Sequence, residues 1–235
     1  MGYSKFNFKA PDVNRTFVYG NQNYSKSNII DGNKKMIAEV EKNYGKIIDK
    51  WADIFEIDKG IIVCFICTES GGKNAPKNQF DATGLMQVTP NTVYEIITKW
   101  DNEVSVPLNQ ETKNLFNKFV SSTPKWTSKR TPTSAEKSQI LSGLTKVEYN
   151  IAVGTACIRW LIEAFDKLGV GGLDKVMVAY NAGYYGTRNK IKNLTATQIV
   201  ASKSLPFESR SYVLKMLGVN GFMDLYYNKK NNNNA

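Results

Sequence analysis

Glu69 is the residue best placed for chemistry in this sequence. It follows an almost wholly apolar run, Ile61 to Cys67, and precedes Gly71 and Gly72, so a carboxyl stands where a buried helix runs out. Desolvation at such a place disfavours the charged form and raises the pKa, which suits a proton donor working near neutral pH. Taken alone, a glutamate beside two glycines is a surface carboxylate ending a helix. The chain contains no histidine. That removes Ser-His-Asp and Cys-His nucleophile activation and nearly every usual zinc site, and with them most proteases, amidases and metallopeptidases.

The three cysteines, Cys64, Cys67 and Cys157, cannot all pair within one chain. Cys64 and Cys67 form a C-x-x-C, but inside the apolar run and without a second ligand pair, so they are expected to be buried structural thiols. Folding in a reducing cytoplasm fits this usage.

Five short motifs follow one another along the chain: Glu69-Ser70-Gly71, Gly84-Leu85-Met86-Gln87, Asn150-Ile151-x-x-Gly154, Ala179-Tyr180-Asn181-Ala182-Gly183 and Glu208-x-x-x-Tyr212. Each is weak singly. As an ordered set, covering roughly Ile37 to Tyr227, they resemble the soluble lytic transglycosylase family, which is related in fold to goose-type lysozyme.

The resemblance implies a groove for glycan strands of alternating N-acetylmuramic acid and N-acetylglucosamine, with Glu69 poised over the glycosidic oxygen. In the family's mechanism the acid protonates the leaving oxygen. The carboxylate so formed then deprotonates the C6 hydroxyl, closing a 1,6-anhydro ring without a second enzymic carboxylate. No metal and no cofactor is required. The resemblance also implies that Ser70, Met86 and Gln87 line the site, that the Tyr180 phenol faces and orients Glu69, and that Asn181 binds an acetamido group or braces its loop. Glu208 and Tyr212, one helical turn apart and so on one face, are placed beside the groove. Plain packing is the competing reading for Met86 and Tyr180, and a simple surface turn for the Glu208 and Tyr212 pair. Where the family commonly has a serine nine positions after the glutamate, this chain has Asn78, whose amide can donate to the same N-acetyl oxygen.

Asp81, three positions before the Gly-Leu-Met-Gln turn, lies near where goose-type lysozymes place acidic residues. As a water-activating base it would make the enzyme an inverting muramidase, with reducing-end products rather than anhydro ends. From another class, the chain would be a non-catalytic wall-binding or virion structural protein that keeps a lysozyme-like shell; an intact Glu69 speaks against that.

The elements that must position these residues are mainly helices, with few or no β-strands, in a lysozyme-like domain around a groove. Helical spacing begins at Asn33 with Met36, Ile37, Val40, Tyr44, Ile47, Ile48, Trp51 and Phe55. Asp58 offers an N-cap to the helix that ends at Glu69, and Thr89 and Pro90 open another through Trp100. Further helices are expected at 147–168, 173–180, 195–201 and 208–217. Residues 1–32 read as an N-terminal arm, 33–227 as the catalytic domain, 101–147 as a polar insertion with some helix at 110–120, and 228–235 as a disordered Asn-rich tail.

With 31 Lys and Arg against 21 Asp and Glu, the chain carries a net charge of +10. It is expected to be drawn to anionic cell wall. The basic residues are scattered, so nucleic acid is not the expected partner. Residues 1–10 contain no apolar core of a signal peptide, and no stretch is long enough for a membrane span. A wall enzyme made in the cytoplasm on these terms fits a bacteriophage lysin, a virion-borne enzyme or a substrate of a specialised secretion apparatus.

Overall fold

The computed structural model describes residues 27–120 and 132–232, together with the strand residues 18–19 and 22–23. Most of the expected N-terminal arm, residues 1–17, lies outside the described residues, as does the segment 121–131. Eleven helices make up the described chain: α1 Ser27–Phe55, α2 Lys59–Ser70, α3 Pro90–Glu103, α4 Gln110–Asn117, α5 Ser134–Leu144, α6 Val147–Asp166, α7 Leu173–Ala182, α8 Tyr184–Ile191, α9 Ala196–Ala201, α10 Phe207–Leu217 and α11 Phe222–Asn232. The strands among the described residues are one antiparallel pair, β1 Val18–Tyr19 with β2 Gln22–Asn23. The mainly helical expectation holds.

Two helices are apolar almost all round and lie in the centre, as such helices must. In α2 every residue from Gly60 to Cys67 is buried, and in α6 every residue from Tyr149 to Glu163. Helices α1, α10 and α11 cover α2, while α1, α3, α4, α5 and α7 pack on α6. The start of α2 is fixed by its cap. Asp58 accepts from the Gly60 amide at 2.7 Å and from the Tyr227 hydroxyl at 2.6 Å, which ties α11 to the same point. Its end is fixed by Gly71, whose φ of 64° is a left-handed conformation that glycine adopts without a Cβ penalty.

The structure departs from the sequence reading at both ends and in the middle. Helix α1 starts at Ser27 rather than Asn33. The backbone of 228–232 is not a disordered tail but the continuation of α11, a helix the sequence reading does not contain; residues 233–235 lie outside the described residues. The described parts of 101–147 are packed rather than appended, since Val106, Phe116, Val120, Ile140 and Leu144 belong to the main core. Helix α5 is held by a capping box, Thr133 with Glu136, which the expected polar insertion did not reveal. The three cysteines are free and buried, as expected.

A buried ion pair locks the chain after α3 onto α6. Arg159 Nε donates to Glu163 at 2.8 Å, and Glu163 also accepts from the Ser105 amide at 2.7 Å and hydroxyl at 2.8 Å. Both side chains are less than a tenth exposed. Burial pushes the Glu163 carboxyl up, but the bonds from Ser105 and Arg159 outweigh it and hold it below its ordinary value. Removing Glu163 takes away the buried carboxylate closest to Arg159 and leaves the exposed Glu56, at 3.3 Å, among its partners. Glu163→Ala is expected to destabilise the fold by about 3 kcal/mol, measured as a loss of free energy in urea denaturation at neutral pH.

Candidate active site

The site starts from one aromatic ring. Phe65, on α2 one turn before Glu69, meets the ring of Tyr180 edge-on at 5.0 Å and that of Tyr212 at 6.0 Å. It therefore seats the end of α7 and the middle of α10 against the end of α2. Edge-to-face packing of this kind adds orientation to the burial. Sequence reading missed Phe65, because within the run Ile61 to Cys67 nothing separates a supporting ring from other core residues.

On this base the Tyr212 hydroxyl donates to Glu69 Oε1 at 2.8 Å. Glu69 is half-buried. Burial pushes its carboxyl up, the Tyr212 bond and the Lys215 charge draw it back, and the Glu208 charge adds to the rise, leaving it at about 7. The Lys215 ammonium is itself held below its ordinary value by burial, against the opposing pull of Glu208 and Glu69. Glu208 is exposed at the first turn of α10 and acts on Glu69 through its charge.

The expected orienting role falls to a different tyrosine. Tyr180 does not bond Glu69; its hydroxyl donates to the Met86 carbonyl at 2.8 Å. Tyr180 thus fastens the Gly84–Gln87 turn to α7, and Tyr212 is the residue that holds the acid. Met86 is likewise not a groove-lining side chain. It is fully buried, its amide donates to Asn150 Oδ1 at 2.8 Å, and its thioether packs where any Cβ on Gly154 would stand. All three parts of Met86 are used as scaffold.

Asn150 holds the turn from below. Besides accepting from Met86, its Nδ2 donates to the carbonyls of Thr83 at 2.8 Å and Leu144 at 3.1 Å. It has no exposure, so these bonds are its whole polar complement. Gly84 is required by the same contact, with φ of 79° and a position where a Cβ would collide with the Asn150 amide. Asn150 was visible as a motif residue; its work as the anchor of the turn was not.

The upper side of the turn is polar. Gln87, at a left-handed φ of 46°, donates to the Gly84 carbonyl at 2.9 Å and accepts from Asn78 Nδ2 at 3.4 Å. Asn78 is exposed, and Gln87 half-buried. Ser70 turns its hydroxyl back to the Ile66 carbonyl at 3.2 Å. Asn181 Oδ1 accepts from Ser209 at 2.7 Å and so braces α7 against α10, the second of its two expected roles. Asp81 pairs with Lys77 at 3.3 Å, while the charges acting on Glu69 are those of Glu208 and Lys215. Among the described residues, no group of acids, cysteines or histidines is arranged to hold a metal ion.

The segment carrying Glu69, Asn78 and Gln87 is also the one with similarity to known proteins. Residues 46–117 match the family model described as the transglycosylase SLT domain. Over that stretch the chain is similar to the SLT domain. A relative, the membrane-bound lytic murein transglycosylase E of Buchnera aphidicola subsp. Acyrthosiphon pisum (strain APS), is 30% identical over 79 residues, or 34% of this chain. The matched stretch spans 36% of that relative's length, so about a third of it has a counterpart here. No solved structure matches. The SLT match stops short of Tyr180, Asn181, Glu208 and Tyr212, and it is the packing of α10 on α2 and of α7 on α10 that brings these residues to the matched segment.

The raised carboxyl of Glu69 carries a stability cost with a definite sign. Below the unfolded value near 4.5 the group is protonated in both states and costs nothing. As pH rises towards 7 the unfolded chain ionises first, so stability is progressively lost. Glu69→Gln keeps a neutral side chain and an acceptor for Tyr212. Its stability relative to the parent is expected to rise by about 3 kcal/mol between pH 4 and pH 8, read from urea midpoints across that range.

Proposed function

We propose that the protein cleaves the β-1,4 bond between N-acetylmuramic acid and N-acetylglucosamine in bacterial peptidoglycan, with Glu69 as acid and then base. The observation that carries this reading is the desolvated carboxyl of Glu69, pushed up to about 7 and held by the Tyr212 hydroxyl, on the segment that matches the SLT domain.

Protonated Glu69 donates to the glycosidic oxygen as the bond to the muramic acid C1 breaks. The carboxylate left behind is stabilised where it forms, by the Tyr212 hydroxyl and by the positive charge of Lys215. It then takes the proton of the C6 hydroxyl, whose oxygen closes on C1 as a 1,6-anhydro ring. Glu69 ends protonated and ready for another cycle. Asn78 and Gln87, with amide groups on the polar side of the turn, bind the N-acetyl groups, and Ser70, Asn181 and Glu208 shape the groove around them. The ion pair of Asp81 with Lys77 supports the anhydro outcome over water activation by Asp81. The lytic transglycosylase activity for which the Buchnera relative is named supports the same outcome.

The net charge of +10 suits adhesion to anionic wall polymers. No helix among the described residues is long and apolar enough to cross a membrane. On this reading the protein works as a bacteriophage lysin, a virion-borne enzyme or a secreted wall enzyme.

Four results are expected. Glu69→Gln loses at least about a thousandfold in wall clearing, in line with removal of an essential acid that also serves as base. Mass spectrometry of the parent's digest shows anhydro-muramic ends; reducing ends alone would instead identify a hydrolase. The activity of the parent falls as pH rises through about 7, as the acid ionises. Tyr212→Phe removes the bond that favours the carboxylate, so in the pH profile its alkaline limb moves to higher pH.

A further inference from the structure

Phe80 is the most exposed large apolar side chain among the described residues, at 73%. Its place is unusual for a ring left in water, because it sits on the turn that carries Asn78. That turn is tightly tied. Asn78 Oδ1 accepts from the Phe80 amide at 2.8 Å and the Ala82 amide at 3.1 Å. The Asn78 amide donates to the Ala82 carbonyl at 2.9 Å, and the Asp81 amide to the Asn78 carbonyl at 3.1 Å. Asp81 adopts a left-handed φ of 62° to complete it. Through Asn78 Nδ2 the turn is joined to Gln87, and through Gln87 to the latch of Asn150 and Tyr180 beneath. The ring is therefore held on a fixed support, two residues from Asn78 and so within about 7 Å of it along the chain.

We infer that Phe80 is a sugar-binding face, on which the apolar C–H side of a pyranose ring in the glycan strand stacks next to the scissile bond. A pyranose offers polar groups around its rim and C–H bonds on its faces. The rim groups match the amides of Asn78 and Gln87. The C–H face matches the negative face of the exposed aromatic ring carried on the same turn as Asn78. Ligand sites combine apolar or aromatic walls with a few placed polar groups that fix orientation. This inference rests on the glycan-cleaving reading and adds to it a residue for which the motif set has no place.

The test combines cleavage and binding, using glycan strands stripped of their peptides. In cleavage, Phe80→Ala is expected to raise KM about tenfold with kcat within twofold of the parent, and Phe80→Trp to restore KM. Leu168→Ala, which removes an exposed apolar side chain just beyond the opposite end of α6 from Asn150, is expected to match the parent. In binding, the Glu69→Gln protein retains the strands, and Phe80→Ala in that background weakens retention by the same factor. An unchanged KM and unchanged retention in Phe80→Ala, or failure of Phe80→Trp to restore either, overturns the inference while leaving cleavage by the parent intact. If the parent cleaves no strand and the Glu69→Gln protein binds none, the function itself fails, and the inference with it.

Discussion

The structure turns on the removal of water from one carboxyl. Glu69 lies at the last turn of a helix that is buried from Gly60 to Cys67, and desolvation is the largest influence on its proton affinity. A carboxylic acid exposed on the surface would be ionised at neutral pH and useless as a donor. Shielding it raises the affinity, and one hydroxyl from Tyr212 keeps the rise within a range where the group both gives and takes a proton. The Glu208 and Lys215 charges oppose one another at the same carboxyl, a smaller adjustment on the same balance.

Everything around α2 follows from holding that exit in place. Phe65 carries the rings of Tyr180 and Tyr212, Asp58 joins α2 to α11, and Gly71 lets the chain leave the helix at once. The turn opposite shares Tyr180 with this base. Asn150 and Tyr180 capture the amide and carbonyl of Met86, and Gly154 leaves room for its side chain. On the proposed reading the motif residues divide into a group that meets the substrate and a group that fixes backbone. Met86 and Tyr180 belong to the second.

Much of this was legible in the sequence where the pattern is long or chemically distinct. The apolar helix ending in Glu69, the Asp58 and Thr89 caps, and the helical spacing of α6 were clear, because burial on all sides and capping chemistry leave direct marks. What escaped has physical reasons. Helix α8 begins after Gly183 and contains Gly186, so its glycines read as turn. Helix α11 ends in lysines and asparagines whose composition masks the buried Phe222, Met223, Leu225 and Tyr226. Helix α5 sits in a Ser- and Thr-rich stretch whose composition hid the capping-box spacing of Thr133 and Glu136. The choice between Tyr180 and Tyr212 as the partner of Glu69 depends on how α7 and α10 pack on Phe65, and no local spacing encodes that.

The central claim is that burial, set against one tyrosine hydroxyl, keeps Glu69 protonated near neutrality. Carbon-13 NMR of the full-length protein, labelled at glutamate carboxyls and assigned by comparison with Glu69→Gln, follows this group alone through a pH titration. A midpoint at about 7 is the result this account requires. A midpoint near the ordinary glutamate value of about 4.3 would contradict it, since a carboxylate ionised at neutral pH has no proton to give to the glycosidic oxygen.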